Sequence, residues 1–305
     1  MELGSRYFKQ VELLVQILPL IARYECFALK GGTAINLFVR DLPRLSVDID
    51  LSYVRVNARD EALQEIDQAF RALKADVEQL IPGIHVHSSV LTDTRYIYKL
   101  VAQLEHIQVK IEISPVMRGV FEPLISMETS AATQENFGFA ELPVVSFNDL
   151  YAGKLCAALS RQHPRDLFDV RLLLENEGIS QELLDVFIIY LVSSGRPIAE
   201  LLAPIEQDFK PVFSGEFQGM TNTPVSMDDL QQARKQLINE IQDKLTAEHK
   251  QFLLTFKQGA PDWGLLKTPE VERYPAVQWK LHNIRTMPKR KHQAALRKLE
   301  KILYG

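Results

Sequence analysis

The chain has 305 residues, of which 46% are apolar and 24% are charged, and its formal net charge at pH 7 is -4. This composition is that of an ordinary folded protein and excludes a chain that is mainly disordered or fibrous. The small negative charge also excludes a polycation that coats nucleic acid along its whole length, so any basic function has to be local.

The N-terminal half predicts alternating helices and strands. Helices are predicted over 7–24, where Pro19 bends or splits the helix, and over 33–39 and 59–80. Strands are predicted over 27–30, 45–51, 84–91, 95–103 and 107–114. Gly31 and Gly32 form the turn between the first strand and the second helix. This half is therefore expected to be an α/β domain, which we place at residues 1–143.

Beyond Pro143 the pattern changes to helices, with no clear strand-like alternation. Helices are predicted over 147–161, 165–176, 180–194, 197–208, 227–257 and 290–303, with a connector at 211–226. We place a helical C-terminal domain at residues 144–305.

The cysteine and hydropathy patterns indicate in which cellular compartment the protein is expected. The two cysteines, Cys26 and Cys156, form neither a disulfide framework nor a CxxC metal pattern. The sequence supports neither a signal peptide nor a membrane-spanning helix. We therefore expect a cytoplasmic protein without a membrane partner.

Three acidic residues stand out in the N-terminal half. Asp48 and Asp50 lie two residues apart on a predicted strand, so their side chains share one face about 6 to 7 Å apart. Glu112, on a later strand, is a third acid that can complete a divalent-metal site. The Gly31-Gly32 turn lets backbone approach a phosphate closely. Each piece alone is typical of a turn or a solvated strand, but their conjunction favours metal-assisted phosphoryl or nucleotidyl transfer.

Other candidates carry weaker signals. His85 and His87 share a strand face but have no further ligand at metal spacing, so either a surface role or a core role is expected for them. Cys156 is expected to be a small core residue. A basic segment over 280–301 is either a solvated helix face or a contact for nucleic acid, and Trp279 beside it is expected in the core. The sequence contains neither a Walker-type loop nor a Gly-x-Ser-x-Gly nucleophile elbow.

Two segments, Leu29-Lys30-Gly31-Gly32-Thr33-Ala34 and Arg44-Leu45-Ser46-Val47-Asp48-Ile49-Asp50-Leu51, together resemble the signature of the AbiE abortive-infection toxins. These are AbiEii-type nucleotidyltransferases of the DNA polymerase β superfamily. The similarity continues in Lys110-Ile111-Glu112-Ile113, in Lys154, in Arg165-Asp166-x-x-Asp169, and in the segments 252–263 and 275–280. The resemblance covers nearly the whole chain and implies an α+β nucleotidyltransferase domain with a mixed sheet, followed by a helical domain.

The resemblance also implies roles for individual residues. Asp48, Asp50 and Glu112 would bind catalytic Mg²⁺ or Mn²⁺. Gly31, Gly32, Thr33 and Ser46 would hold the triphosphate of an incoming NTP, and Lys154 would neutralise phosphate charge. Arg44 either contacts phosphate or pairs with Asp41. Asp166 and Asp169 either orient Lys154, act as a base toward the acceptor hydroxyl, or pair with Arg165 and Arg161. The active site is expected between the two domains.

Three functional hypotheses follow. The first is transfer of a nucleoside monophosphate from an NTP to an acceptor hydroxyl, with transfer RNA as a possible acceptor. The resemblance adds a toxin role in a type IV toxin–antitoxin system, opposed by an antitoxin that forms no stable complex with the toxin. The second hypothesis changes the acceptor to a small molecule or a protein. The third is a non-catalytic nucleotide- or RNA-binding regulatory module.

Overall fold

The computed structural model describes residues 4–92 and 94–305. The chain forms two compact units, one comprising the residues up to Ser146 together with Gln218–Pro224, and the other comprising Phe147–Phe217 and Val225–Gly305. We call them the sheet unit and the helical unit.

The sheet unit is built on a seven-stranded mixed sheet with the strand order β3-β4-β5-β2-β1-β7-β6. The strands are β1 (Phe27–Lys30), β2 (Asp48–Tyr53), β3 (His85–Val90), β4 (Ile97–Leu104), β5 (Ile107–Arg118), β6 (Ile125–Glu128) and β7 (Glu141–Val144). Strand β2 runs parallel to β5 and antiparallel to β1, and β3, β4 and β5 form an antiparallel meander. The expected mixed sheet is confirmed.

The described residues of the sheet unit form four α-helices. They are α1 (Arg6–Ile21), α2 (Gly31–Ala34), α3 (Arg59–Leu80) and α4 (Ala131–Phe137), and a π-helical turn over Ile35–Val39 continues α2. Pro19 lies in the last turn of α1, which continues through it to Ile21. Helices α1 and α3 pack on the sheet through their apolar faces, and the strand residues Ile49 and Ile111 are fully buried. Their alternating neighbours lie on the other face.

The helical unit contains nine α-helices in its described residues. They are α5 (Phe147–Arg161), α6 (Pro164–Asn176), α7 (Gln181–Ser193), α8 (Ile198–Leu202), α9 (Lys210–Val212), α10 (Met227–Lys244), α11 (Ala247–Gln258), α12 (Pro275–Arg285) and α13 (Lys289–Tyr304). Within the part of the chain that the structure describes, no helix is long and apolar enough to cross a membrane.

Several predicted boundaries were wrong. The predicted helix over 227–257 is two helices, because the Thr246 side chain caps a new helix by accepting from the backbone N–H of His249 at 3.2 Å. The strand predicted over 45–51 begins at Asp48, since the Leu45 N–H donates to the Met220 carbonyl oxygen at 2.8 Å instead of joining the sheet. The helix predicted over 197–208 ends at Leu202.

Some elements were missed altogether. Strands β6 and β7 have four residues each, too short for a clear periodicity, and they pair with one another at the edge of the sheet. Helix α4 between them was also missed, as was α12. The segment 211–226, predicted as a connector, contains most of α9 and a π-helical turn over Phe213–Phe217.

Candidate active site

The Gly31-Gly32 turn lies directly against the side chain of Asp50. Gly31 follows the last residue of β1 and has a φ of +73°, a left-handed conformation that side chains other than glycine rarely adopt. A Cβ at this position would lie 2.9 Å from the Asp50 Cβ and 3.0 Å from its Cγ, and it would overlap a carboxylate oxygen. Glycine is therefore required at Gly31 for two reasons, the backbone conformation and the close approach of Asp50.

Gly32 has an equally crowded environment. A Cβ there would lie 2.8 Å from Nη2 of Arg44 and 3.0 Å from Oγ of Ser46. The Thr33 hydroxyl lies 3.0 Å from the Ser46 hydroxyl and 2.5 Å from the Asp48 carbonyl oxygen. The structure thus brings Gly32, Thr33, Arg44 and Ser46 close together near the start of β2, and their role in nucleotide binding stays a prediction.

Arg44 is buried, with 2% of its surface exposed, and its Nη1 donates to the Leu45 carbonyl oxygen at 2.9 Å. The segment Gln218–Pro224 holds the loop around Arg44. The backbone of Arg44 forms an antiparallel β-bridge with Thr221, and the Asn222 N–H donates to the Pro43 carbonyl oxygen at 2.9 Å. A distant part of the chain therefore fixes the backbone that carries Arg44.

The three predicted carboxylates share one face of the sheet. Asp50 is the register partner of Glu112 in the parallel β2–β5 pair, and Asp48 is the partner of Lys110. Paired residues of neighbouring strands point to the same side, so Asp48, Asp50 and Glu112 lie on the face opposite the buried Ile49 and Ile111. All three acids are half-buried and Lys110 is exposed. The Glu112 side chain is 42% exposed, so solvent reaches this face of the sheet.

Lys99 is a site residue that the sequence analysis missed. It lies opposite Glu112 in the antiparallel β4–β5 pair, and its ammonium forms an ion pair with the Glu112 carboxylate. This hydrogen bond raises the pKa of Lys99 against the opposing effect of burial, and the charge of Asp48 contributes to the rise. The tight hairpin at Glu105 and His106 fixes this register, so the pairing of Lys99 with Glu112 could have been read from the sequence.

Across residues 4–92 and 94–305, no three or more side chains of His, Cys, Asp and Glu converge closely enough to hold a metal ion. His85 and His87 are exposed on β3, in agreement with the surface role that was expected as one alternative. The carboxylate face consists of Asp48, Asp50 and Glu112, and Glu112 forms an ion pair with Lys99.

In the helical unit, Lys154 lies between two buried aspartates. Its Nζ is 2.8 Å from Oδ1 of Asp166 and 2.9 Å from Oδ2 of Asp169, and all three side chains are at most 5% exposed. The exposed Arg161 forms a bidentate pair with Asp166 through its Nε and Nη2. Burial alone would raise the pKa of Asp166, but the cations of Lys154 and Arg161 outweigh it and hold that pKa well below its ordinary range.

The sequence profile of the family described as "Nucleotidyl transferase AbiEii toxin, Type IV TA system" matches residues 12–283, which is most of the chain. The chain belongs to this family. It is accordingly a nucleotidyltransferase of the toxin type found in type IV toxin–antitoxin systems, as the motifs around Gly31 and Asp48 indicated.

Among solved structures, the chain is similar to MenT4, a nucleotidyltransferase toxin from Mycobacterium tuberculosis H37Rv. The two chains share 17% sequence identity, and the match has a TM-score of 0.60 and covers 97% of this chain and 96% of that chain. At this identity the likeness establishes the fold. No match was found among curated proteins.

Proposed function

We propose that this AbiEii-family protein transfers a nucleoside monophosphate from an NTP to an acceptor hydroxyl, with Mg²⁺ or Mn²⁺ held by Asp48, Asp50 and Glu112. The acceptor oxygen forms a bond to the α-phosphorus, the bond to pyrophosphate breaks, and the hydroxyl proton is released. The observation that carries the proposal is the close approach of the Gly31 turn to the Asp50 carboxylate, on an open sheet face that also holds Asp48 and Glu112.

The donor chemistry suits a divalent ion, although the three carboxylates do not converge on one point in the described part of the structure. Mg²⁺ and Mn²⁺ prefer carboxylate oxygens, water and phosphate as ligands, and three carboxylates on one accessible face supply such oxygens. Glu112 already binds one cation, because its carboxylate forms an ion pair with the ammonium of Lys99. A bound divalent ion would supply Lewis-acid chemistry, stabilising the charge that develops on the phosphate oxygens.

The other residues of the turn position the substrate. Gly31 and Gly32 lack side chains where the phosphates approach, and the Ser46 hydroxyl is a donor beside Gly32. The Thr33 hydroxyl on α2 donates a hydrogen bond to the Asp48 carbonyl oxygen and so fixes the position of the turn relative to the carboxylates. Lys154, Asp166 and Asp169 are proposed to contribute to catalysis as the family resemblance implies, with both aspartates holding the Lys154 ammonium in one orientation.

The acceptor is proposed to be the 3′ end of a transfer RNA, and the product tests this choice. The purified chain is incubated with each of four NTPs labelled at the α-phosphorus, with Mg²⁺ or Mn²⁺ and total RNA. We expect label in RNA of transfer-RNA size. Label on protein or on a small molecule instead would contradict the RNA acceptor while leaving the nucleotidyltransferase chemistry intact.

The proposed site is tested with a pair of double variants. Asp48→Asn with Asp50→Asn removes two carboxylate charges from the open face, and we expect transfer to fall by at least about 10³-fold. The control, Asp60→Asn with Glu61→Gln, removes the same charge from the exposed first turn of α3 and should retain activity. Equal activity in both variants would show that the carboxylate face is not the active site.

The antitoxin of this system is proposed to oppose the toxin without forming a stable complex with it. A tagged chain that is co-expressed with the protein encoded beside it should therefore purify alone, while growth inhibition by the active chain is relieved. Co-purification in a fixed ratio would contradict this part of the proposal.

A further inference from the structure

The last two helices of the chain form a strongly basic region. Residues 275–305 contain eight lysine and arginine residues and a single acid, Glu300, although the whole chain has a net charge of -4. Six of these cations are exposed on α13: Lys289, Arg290, Lys291, Arg297, Lys298 and Lys301. Within the described part of the chain, none of the six forms an ion pair. We call this set, together with α12, the basic surface.

The basic surface brings like charges together at a cost in free energy. Lys257 of α11 lies near both Lys280 of α12 and Lys291 of α13. Burial and then the charge of Lys257 lower the pKa of Lys280 to about 8, and burial and the charge of Lys291 lower the pKa of Lys257. A polyanion that binds there would relieve this repulsion.

The first turn of α13 adds to the positive potential. Lys289, Arg290 and Lys291 form it, and the preceding Pro288 provides no side-chain cap. Cations at a helix N-terminus oppose the helix dipole, so these three residues lower the stability of α13 in isolation. Their placement has no structural compensation within the first turn, which contains no acid.

An exposed aromatic pair lies on α12, and Trp279, one of its members, is followed in the sequence by Lys280. Trp279 is 58% exposed, which corrects the expectation that it is a core residue. Its ring stacks on that of His282, with a centroid separation of 5.8 Å and an interplanar angle of 19°. A solvent-facing aromatic surface on a helix that follows α11 and precedes the cations of α13, with Lys257 of α11 near both Lys280 and Lys291, suits single-stranded nucleic acids, which bind through base stacking and phosphate contacts.

The apolar side of α13 is already used inside the fold. Leu299 and Leu303 are buried, and the helix packs against α8 and α11. A helix that lies in a membrane interface needs a free apolar face. Charge complementarity and the exposed Trp279 therefore favour a nucleic acid over a lipid surface.

We propose that the basic surface binds single-stranded RNA, with Arg290 and Arg297 on phosphates and the Trp279 ring stacked on a base. The choice of RNA rests on the acceptor of the proposed function. The binding itself requires neither nucleotide nor metal, so it can be measured separately from catalysis.

The test measures fluorescence anisotropy of a fluorescein-labelled adenosine dodecamer RNA with the full chain, without NTP or divalent metal, over a range of salt concentrations. We expect Arg290→Gln with Arg297→Gln to weaken binding about tenfold and to reduce the slope of log affinity against log salt by about 1.4, because each lost single-strand phosphate contact removes about 0.7. Trp279→Ala should also weaken binding about tenfold but leave the slope unchanged, since stacking carries no charge.

The control variant, Lys9→Gln with Lys235→Gln, removes two exposed cations from α1 and α10 and should bind within about twofold of the wild type. The variant Asp48→Asn with Asp50→Asn should bind RNA normally even though the proposed function requires it to be inactive. Equal weakening in the control, or unchanged binding by both the arginine and tryptophan variants, would overturn the proposal. So would variant-sensitive binding to phosphatidylserine vesicles in the absence of RNA binding.

Discussion

Replacing Gly31 with alanine tests the geometry on which the proposed site depends. The φ of +73° at Gly31 costs an L-residue about 1 to 2 kcal/mol. The new Cβ would also lie within 3.0 Å of two Asp50 carbon atoms, so the carboxylate or the turn has to move. Overpacking of this kind typically adds about 1 to 3 kcal/mol. We therefore expect Gly31→Ala to lower the free energy of unfolding by about 2 to 5 kcal/mol.

Gly83→Ala is the matched control, because it separates backbone strain from the clash. Gly83 has a φ of +79°, close to that of Gly31, but a Cβ there would meet only a Leu104 methyl carbon at the ordinary distance of 3.7 Å. Its cost should be the strain alone, about 1 to 2 kcal/mol. The difference between the two variants measures the contact between the Gly31 turn and Asp50.

The assay is urea unfolding followed by far-UV circular dichroism, together with hydrogen exchange of peptides that contain β1 and β2. Gly31→Ala should accelerate exchange in these two strands, whereas Gly83→Ala should act on the segment that leads into β3. Equal destabilisation by both variants, with unchanged exchange in β1 and β2, would refute the close approach of Gly31 to Asp50 and with it the geometry of the site.

Three further predictions concern lysines. Lys99→Met should raise the affinity of the nucleotide-free chain for Mn²⁺ several-fold, because the substitution frees the Glu112 carboxylate from its ion pair. The affinity is measured by electron paramagnetic resonance of free Mn²⁺. The control, Lys110→Met, should change this affinity by less than about twofold. Lys154→Met should destabilise the chain by about 3 kcal/mol in urea, since it leaves buried carboxylates without their cation. For Lys280, the folded pKa of about 8 lies below the unfolded value of 10.5, so the unfolded chain binds more protons between these pH values. The stability of the wild type relative to Lys280→Gln should therefore rise from pH 8 to 10.

Local periodicity was sufficient for most of the sheet unit. The predicted range 27–30 agrees with β1, a short apolar run that is buried and ends at the Gly31-Gly32 turn. The range 59–80 agrees with α3, because helical spacing of apolar residues reports directly on a half-buried helix. Short strands such as β7 lack enough residues to show a period. The position of Leu45 depends on a hydrogen bond to Met220, 175 residues away in sequence, and no local pattern contains that information.

The candidate site was predictable to a similar degree. The shared face of Asp48 and Asp50 follows from their spacing, and the register of Glu112 beside them had to come from the family resemblance. The side-chain partners were harder to predict. The burial of Lys154 between Asp166 and Asp169 depends on how α5 packs on α6, and the exposure of Trp279 depends on which side of α12 the neighbouring helices cover.

The pair Asp166 and Asp169 and the pair Asp48 and Asp50 differ in burial, and this difference affects how variants at each pair are interpreted. Asp166 and Asp169 are buried with a cation between them, so replacing Lys154 changes both stability and any role in catalysis. Asp48 and Asp50 are half-buried on the sheet face, so carboxamide substitution is expected to cost less stability there than the loss of the buried Lys154. An activity loss at Asp48 or Asp50 therefore reports on chemistry, whereas a loss at Lys154 does so only where it exceeds the loss of folded protein.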